Sequence, residues 1–515
     1  MLAFYVLAGL FGRDPWKGED AIHIATTWNI LAHNDWLSPD LAGREFDEPP
    51  LYYWSAALTG KLLGWLIPLH DAIRFASGIW VALALVALYY AGRELYGKDH
   101  AAASPLLLAG SAGLVINAHE AQPLLVALAA YCGTLAAVVA FRRRPKLAGA
   151  FYGLSLAGCL LGTGVAPTLP LIAAGPLSIW LSKAEHQPWR SCLIGWLVFV
   201  LLALPWPLLL GALEPARLSG WLIAERRQLS SGASLFPALG GYLGLLPFVA
   251  FPTVFIAGWT LWTHRNDLRK DKILLPLGLL ALTLLLLLFA YRPKELSALL
   301  LLPPIALLAT PGALILRRGA AKAFEWFSMM NFSFFAILVW VGWSALTFGW
   351  PEKLAKRALI LRPGFVGSFD LLSVAAALAV SVLWIWLMAT SRRSPYRSLV
   401  QWAMGFTTFW LLAALLWLPW FDYGRSYRPV AEAIARELPA DHGCIAERNL
   451  GDTQRASLAY FVGVEPKPAQ AIPDCRWLLI QDAPGARITV ERGWSKIWEG
   501  SRPGDHKERF RLYRR

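Results

Sequence analysis

The chain has 515 residues, of which 57% are apolar and only 16% are Asp, Glu, Lys or Arg, and its mean hydropathy is +0.46. So few charged side chains cannot cover a soluble protein of this length, and the same composition excludes disordered, collagenous and coiled-coil chains. The net charge of +14 is interpreted as cytoplasmic loop anchoring by the positive-inside rule, and not as nucleic-acid binding. The composition therefore predicts a polytopic α-helical membrane protein.

Apolar runs divide most of the chain, and a membrane-spanning helix needs about 20 such residues. Thirteen runs are found, at residues 1–12, 73–95, 101–118, 121–141, 147–163, 165–182, 191–212, 238–262, 274–291, 296–316, 323–349, 367–389 and 400–420. The first run is too short to span a bilayer, which leaves open whether the start codon lies upstream. We therefore expect about 13 transmembrane helices.

Basic residues between the runs predict the orientation. Four clusters of Arg and Lys occur, at 142–146, 265–272, 317–322 and 392–397. With thirteen spans all four clusters fall on one side, which is then the cytoplasmic side. The loops 13–72 and 213–237 and the tail from residue 422 then face outward. This predicts a multi-pass protein of the bacterial inner membrane with a cytoplasmic N-terminus and a periplasmic C-terminus.

The first outward loop is long and patterned. Apolar residues recur at helical spacing around Ile22 and Ala25, and again at Leu51, Trp54 and Leu58. The pattern predicts two amphipathic helices at the membrane interface. Residues 1–421, including this loop at 13–72, are predicted to form the transmembrane domain.

The composition changes at Asp422, after which charges are mixed and apolar stretches are short. This tail, residues 422–515, is predicted to be a small α/β domain with a helix at 428–437. Its predicted strands lie at 444–449, 476–481 and 507–513. Cys444 and Cys475 start two of these strands, and an oxidising compartment favours a disulfide between them.

Two acidic pairs, Glu19–Asp20 and Asp47–Glu48, lie in the first outward loop. Helix-dipole stabilisation accounts for acids at helix starts without any catalytic function. The functional alternative is that both pairs converge on one pocket, where a carboxylate deprotonates an acceptor hydroxyl or amine. The other carboxylates would then orient the acceptor or hold a metal. His23, on the same helix, is interpreted as a structural residue.

Three stretches of this loop form one pattern: DPWKGED at 14–20, NDWLSP at 34–39 and GREFDEPPLYYW at 43–54. The pattern resembles the first periplasmic loop of bacterial C-type membrane glycosyltransferases, in particular the lipid A aminoarabinose transferase and protein O-mannosyltransferase-like families. In these families an acidic pair is followed by G-D-W-x-x-P and F-E-K-P-P-L-x-Y-W. The resemblance covers the first 60 residues well, and the remainder through span number, loop placement and the outward tail.

The resemblance implies roles residue by residue. Glu19 matches the catalytic Asp position, with Asp20 beside it, so either carboxylate is a candidate base. Asp47 matches the Glu of E-K-P-P, whereas Glu48 stands where the families often have Lys. A carboxylate meets a donor phosphate only through a cation, so a divalent metal at Glu48 is the one cofactor that this departure suggests.

Phosphate contacts need Arg or Lys side chains aimed at a pocket. Arg292 and Lys294 lie between two apolar runs on the outward side, where positive-inside anchoring does not require them. They are the first candidates for the donor phosphate, and the alternative is snorkelling to lipid headgroups. Arg226 and Arg227, in the 213–237 loop, are the second candidates.

The resemblance implies an inverting glycosyltransferase that takes a sugar from a polyprenyl-phosphate donor. Its acceptor would be a lipid, such as lipid A or another cell-envelope glycan, or a protein, and membrane lipids would surround it. A lipid or ion transporter is the first alternative, but transporters carry ionisable residues near the bilayer midplane, and here these residues lie near span ends. The second alternative is a non-catalytic scaffold of the same fold, which the departure at Glu48 leaves open.

Overall fold

The structure is a computed structural model that describes residues 2–16, 18–44, 47–181, 189–230, 234–266, 271–391, 394–468, 470, 474–485 and 492–515. Several residues named above lie outside these ranges: Lys17, Glu45 and Phe46 of the loop pattern, and Arg269, Lys270, Arg392 and Arg393 of the basic clusters.

The described residues are mostly helical. The first nine helices are α1 Leu2–Leu7, α2 Glu19–His33, α3 Leu51–Leu63, α4 Leu69–Tyr96, α5 Ala103–Ala109, α6 Ala112–Asn117, α7 Leu124–Ala140, α8 Pro145–Thr163 and α9 Val165–Leu181. The next nine are α10 Trp189–Ala203, α11 Pro205–Leu213, α12 Pro215–Leu229, α13 Leu235–Val249, α14 Thr253–Thr263, α15 Asp271–Ala290, α16 Glu295–Ala298, α17 Leu302–Leu314 and α18 Arg318–Phe348. The last six are α19 Glu352–Leu361, α20 Leu371–Thr390, α21 Arg397–Leu416, α22 Leu418–Arg425, α23 Arg428–Glu437 and α24 Asp452–Val462.

Seven helical segments of the described chain are long and apolar enough to cross a membrane, and the bent pair α13 and α14 would make an eighth. The seven are Leu69–Tyr96, Trp189–Leu213, Lys272–Ala290, Glu295–Leu314, Arg318–Phe348, Leu371–Thr390 and Arg397–Leu416. The polytopic helical fold is thus confirmed, although not every predicted run forms one long helix. The run 101–118 divides into α5 and α6 at Gly110, whose carbonyl accepts the indole N–H of Trp402 at 2.8 Å.

The segment around α17 lies at the centre of the bundle. Within Glu295–Leu314, 89% of the most apolar window is buried, against 17% for α18 and for α20. Leu302, Ile305 and Leu308 of α17 pack into the largest apolar cluster, which also includes side chains of α4, α7 and α15. Helices α18 and α20 therefore present most of their apolar surface outward, where lipid would cover it.

The predicted basic clusters gather at one end of this bundle. Arg143 donates to Glu94 at 2.9 Å, and Tyr96 donates to the backbone carbonyl of Lys272 at 2.9 Å. Arg397 lies 3.7 Å from Glu325 of α18. Helix α4 runs from this end for 28 residues, about 42 Å, to the first loop. The basic clusters therefore lie at one end of α4 and the acidic pairs at the other.

The first loop forms the two predicted helices, α2 and α3. The chain passes Gly18 with φ 118°, a conformation suited to glycine, and α2 then begins with Glu19 and Asp20 in its first turn. Helix α2 is covered on two sides, because it packs against α3 and, through Ala25, against Ala456 of α24. Helix α2 is therefore packed inside the protein at this end of the bundle, whereas α3 leaves Leu58 and Leu62 exposed.

Beyond α22 the chain forms a four-stranded sheet with strand order β1-β2-β4-β3. The strands are β1 Ile445–Arg448, β2 Trp477–Asp482, β3 Ser495–Gly500 and β4 Arg509–Arg514. Strands β1 and β2 are parallel, with α24 in the crossover between them, and β4 is antiparallel to β2 and β3. The predicted helix at 428–437 is present as α23, and Cys444 and Cys475 are joined by a disulfide. Strand β3 was not expected from the sequence.

Asp422 links the first loop to this C-terminal part. Its carboxylate accepts from the backbone N–H of Asp14 at 3.0 Å and from the indole N–H of Trp16 at 2.8 Å. Burial, with the nearby Asp14 carboxylate, raises the pKa of Asp422 to about 6. Arg428 also pairs with Asp14 across this contact at 2.5 Å.

We expect Asp422→Asn to stabilise the protein above pH 6. The pKa of Asp422 is higher in the folded than in the unfolded chain, so its ionisation opposes folding as pH rises through about 6. Asparagine keeps the acceptor oxygen and removes the charge, and the gain at pH 8 should be about 1–2 kcal/mol. The readout is the apparent melting temperature of variant and parent in detergent at pH 5 and pH 8. An equal difference at both pH values would contradict the assignment.

Candidate active site

An open cavity of about 870 Å³ lies beside the first loop. Its walls come from the start of α2, the loop before α3, one face of α12 and the segment between α15 and α16. Five of the residues predicted from sequence line it: Glu19, Asp47, Glu48, Arg292 and Lys294. The structure therefore places acids from both pairs in one cavity with Arg292 and Lys294, the first candidates for the donor phosphate.

Glu19 is the first residue of α2, and its side chain is about half exposed, so that the carboxylate reaches the cavity. One turn further along the helix, His23 Nε2 lies 3.5 Å from Glu19 Oε2. The His23 interaction, helped by the charge of Lys294 and opposed by burial, holds the pKa of Glu19 below its usual range. Glu19 is therefore an ionised carboxylate at neutral pH, ready to accept a hydrogen bond.

Asp20 faces the other way along the helix and is buried. Its Oδ1 accepts from Arg74 Nε at 3.0 Å and from the Ala121 backbone at 2.8 Å. Its Oδ2 accepts from Arg74 Nη2 at 2.9 Å and from Arg13 at 3.2 Å. Burial opposes ionisation, but the charges of Arg13 and Arg74 outweigh it and hold the pKa of Asp20 well below its usual range.

The sequence left open which of the two adjacent acids acts as the base, and this geometry favours Glu19. Both oxygens of Asp20 are occupied by guanidinium and backbone donors, so it has no free position for an acceptor's proton. Asp20 instead anchors α2 to Arg74 of α4 and to the chain at Ala121.

Asp47 and Glu48 differ in their surroundings. Asp47 is exposed on the cavity wall and lies against Gly220 of α12, where an added Cβ would come within 3.2 Å of its Oδ1. Glu48 accepts a hydrogen bond from Tyr53 Oη at 2.5 Å and lies 3.8 Å from His23 Nδ1. Among the residues that the structure describes, no group of three His, Cys, Asp or Glu side chains is placed to hold a metal ion.

The two candidate phosphate-binding pairs differ in position. Arg292 and Lys294 are exposed and line the cavity. Arg226 and Arg227 are exposed on α12 but do not line it, although their neighbours Glu225 and Gln228 do. Glu225 and Gln228 are three residues apart and therefore share the helix face that lines the cavity. Arg226 and Arg227 lie outside that face.

His23 and Glu225 line the cavity but were not assigned a function from sequence, and the same holds for Tyr53, which is buried behind them. The contact of His23 with Glu19 could have been predicted from sequence, because residues four apart on a helix are neighbours. The position of Glu225 could not have been predicted, because its contact is with a residue distant in sequence. Its Oε2 accepts a hydrogen bond from the backbone N–H of Val165 at 3.0 Å, at the start of α9. Gly164, with φ +92°, leaves the space for this carboxylate. Burial raises the pKa of Glu225.

No family model matches the chain. Over 282 residues it is 27% identical to undecaprenyl phosphate-alpha-4-amino-4-deoxy-L-arabinose arabinosyl transferase 1 of Sodalis glossinidius, covering 50% of this chain and 49% of that protein. The enzyme of the same name from Pseudomonas fluorescens is 28% identical over 291 residues, 53% of this chain and 51% of that protein. The chain thus spans about half the length of the curated relatives it matches.

The crystal structure of ArnT from Cupriavidus metallidurans bound to undecaprenyl phosphate superposes with a TM-score of 0.70. This match covers 99% of the chain and 96% of that protein at 16% identity. At this identity the match shows a common fold and says nothing further about chemistry. The sequence relatives carry the aminoarabinose-transferase name, and they confirm the resemblance found in the first loop.

We expect Asp20→Asn and Glu19→Gln to differ in stability although the residues are adjacent. Asp20→Asn removes the carboxylate that Arg13 and Arg74 share, although Arg74 keeps its ion pair with Asp71, and breaking this buried ionic contact costs about 3–5 kcal/mol. Glu19→Gln changes a half-exposed side chain and should cost less than about 1 kcal/mol. Melting temperatures of the two purified variants and the parent measure this. Equal melting of Asp20→Asn and the parent would refute the anchoring role.

Proposed function

We propose that this chain is a membrane glycosyltransferase that moves a sugar from a polyprenyl-phosphate donor to a lipid or protein acceptor at the periplasmic face of the bacterial inner membrane. One observation carries the proposal: an ionised carboxylate, Glu19, shares a cavity with Arg292 and Lys294. The relatives' name supports the donor class, since it specifies an undecaprenyl phosphate-linked aminoarabinose. Lipid A or another cell-envelope glycan is the proposed acceptor.

The proposed topology places the cavity outside the cytoplasm. The basic clusters share the end of the bundle opposite the acidic pairs, and the positive-inside rule makes that end cytoplasmic. Thirteen crossings would then put the N-terminus in the cytoplasm and the C-terminus in the periplasm. Residues 1–421 form the proposed transmembrane domain, and residues 422–515 the proposed periplasmic domain, which packs on α2 through α24.

In this proposal each cavity residue has one task. Glu19 accepts a hydrogen bond from the acceptor's hydroxyl or amine and takes its proton as the new glycosidic bond forms. Asp47, which also lines the cavity, orients the acceptor. Arg292 and Lys294 stabilise the phosphate that leaves with the polyprenyl chain. Attack from the side opposite the leaving phosphate inverts the anomeric carbon.

Removal of the carboxylate charge at Glu19 is the direct test of the base. Glu19→Gln should lower the transfer rate by about 10²–10⁴-fold, because glutamine cannot take a proton. The assay follows transfer from a labelled undecaprenyl-phosphate aminoarabinose to lipid A. Glu437→Gln, at an exposed acid of α23, is the matched control. Unchanged transfer by Glu19→Gln would remove it from the mechanism, and no transfer by the parent with any donor would favour a transporter or scaffold.

Lysine and arginine substitutions test the donor site separately. Lys294→Met and Arg292→Met should each raise the donor KM about tenfold to a hundredfold, the range expected for a lost charged hydrogen bond. Arg227→Met is the matched control, because Arg227 is exposed on α12 outside the cavity lining. Equal effects of Lys294→Met and Arg227→Met would contradict the placement of the donor phosphate.

A further inference from the structure

His23 lies between two carboxylates on the wall of the cavity. Its side chain is 3% exposed, its Nε2 is 3.5 Å from Glu19 Oε2, and its Nδ1 is 3.8 Å from Glu48 Oε2. Nδ1 is also 2.7 Å from Tyr53 Oη. The ring thus joins α2, the loop before α3 and α3 itself.

The hydrogen-bond partners determine where the protons lie. Tyr53 Oη donates its single hydrogen to Glu48 Oε2 at 2.5 Å. His23 Nδ1, at 2.7 Å from the same hydroxyl oxygen, must therefore be the donor in that contact. A neutral ring protonated at Nδ1 would turn the lone pair of Nε2 toward the Glu19 carboxylate, which is repulsive. An imidazolium places an N–H at both positions.

The other groups around His23 agree with a charged ring. Asp20, one helical turn back, is neutralised by Arg13 and Arg74. The ring centroids of Tyr52 and Tyr53 lie 6.3 and 5.9 Å from that of His23. Burial opposes protonation of His23, but the carboxylates of Glu48 and Glu19 outweigh it and raise its pKa above the usual value.

We infer that His23 is a positioning residue that carries a positive charge, holds Glu19 and Glu48 in place and makes the cavity able to bind an anionic phosphate. The inference rests on the proposed function for the identity of the ligand. Four carboxylates line the described cavity, Glu19, Asp47, Glu48 and Glu225, against the two bases Arg292 and Lys294. A neutral His23 would leave this excess of negative charge facing the phosphate.

Protonation of His23 and binding of phosphate are then linked, and linkage acts equally in both directions. If phosphate binding raises the pKa of His23 by about one unit, protonation of His23 tightens phosphate binding about tenfold. The phosphate of undecaprenyl phosphate itself titrates near pH 6. The informative quantity is therefore the ratio of the affinities of the parent and of a His23 variant at each pH.

The first measurement is the affinity for undecaprenyl phosphate in detergent, from pH 5.5 to pH 9, for the parent and His23→Gln. We expect the parent to bind about tenfold tighter at low pH and the two affinities to converge at high pH. Adding Glu48→Gln to His23→Gln should restore binding at low pH, because it removes one uncompensated carboxylate. A constant ratio near one across the range would overturn the inference.

The second measurement does not depend on any ligand or reaction. In protein labelled with ¹⁵N-histidine, the signal that His23→Gln removes should titrate above the free value of about 6.5, and Glu48→Gln should lower that value. A titration below 6.5 would overturn the inference even if transfer is found. A charged His23 in a protein that binds no undecaprenyl phosphate would overturn its proposed role toward the phosphate and contradict the proposed function, while the charge assignment would stand. If His23→Gln does not fold, the His23 signal is identified instead as the one whose titration Glu48→Gln lowers.

Discussion

The arrangement of the site depends on one buried ionic contact, in which Asp20 of α2 is held by Arg74 of α4 and by Arg13. Arg74 is fully buried, and it also donates to the backbone carbonyls of Arg13 and Asp14 at 2.8 Å. Arg74 is also paired with Asp71 at 2.9 Å, but two buried guanidinium groups with only part of their counter-charge would be strongly unfavourable, so α2 docks with Asp20 turned inward. The first loop is therefore held in one orientation on the end of the bundle.

The orientation of Asp20 determines what its neighbour can do. Successive residues on a helix are rotated by about 100°, so an inward Asp20 directs Glu19 to the cavity and, one turn later, brings His23 beneath Glu19. The same pair of acids thus divides into an anchor and an exposed carboxylate. The C-terminal part covers the opposite face of α2, so that the exposed residues of α2 are Glu19 at the cavity and Ala32 and His33 at the far end of the helix.

Local pattern was enough to predict much of this fold. The apolar runs, the two helices of the first loop, the helix at 428–437 and three of the four strands follow from periodicity and turn residues. Strand β3 was missed because its burial pattern, with Ser495, Lys496 and Ile497 exposed, has no apolar alternation. The break between α5 and α6 was missed because it depends on Trp402, nearly 300 residues away.

The candidate site residues that could be predicted were charged residues that are not needed to orient the protein in the membrane. Glu19, Asp47, Arg292 and Lys294 stood out because the positive-inside rule and helix capping did not account for them together, and they meet in one cavity. The distinct tasks of Glu19 and Asp20 were not predictable, since they depend on the partners Arg13 and Arg74. Glu225 was not predictable either, because only the fold brings α12 to the start of α9.

A common fold does not by itself determine the charge of the cavity. At 16% identity to ArnT, most side chains around an equivalent space can differ, and here Glu48 is an acid on the cavity wall. A carboxylate at that position adds repulsion for any phosphate unless a nearby proton compensates it. Tyr53 of α3 donates a hydrogen bond to Glu48 Oε2, and the His23 ring of α2, whose Nδ1 lies 3.8 Å from the same oxygen, supplies the compensating charge. The charge on this wall of the cavity therefore depends on Glu19, His23, Glu48 and Tyr53 together, and a substitution at any one of them must be interpreted with the other three.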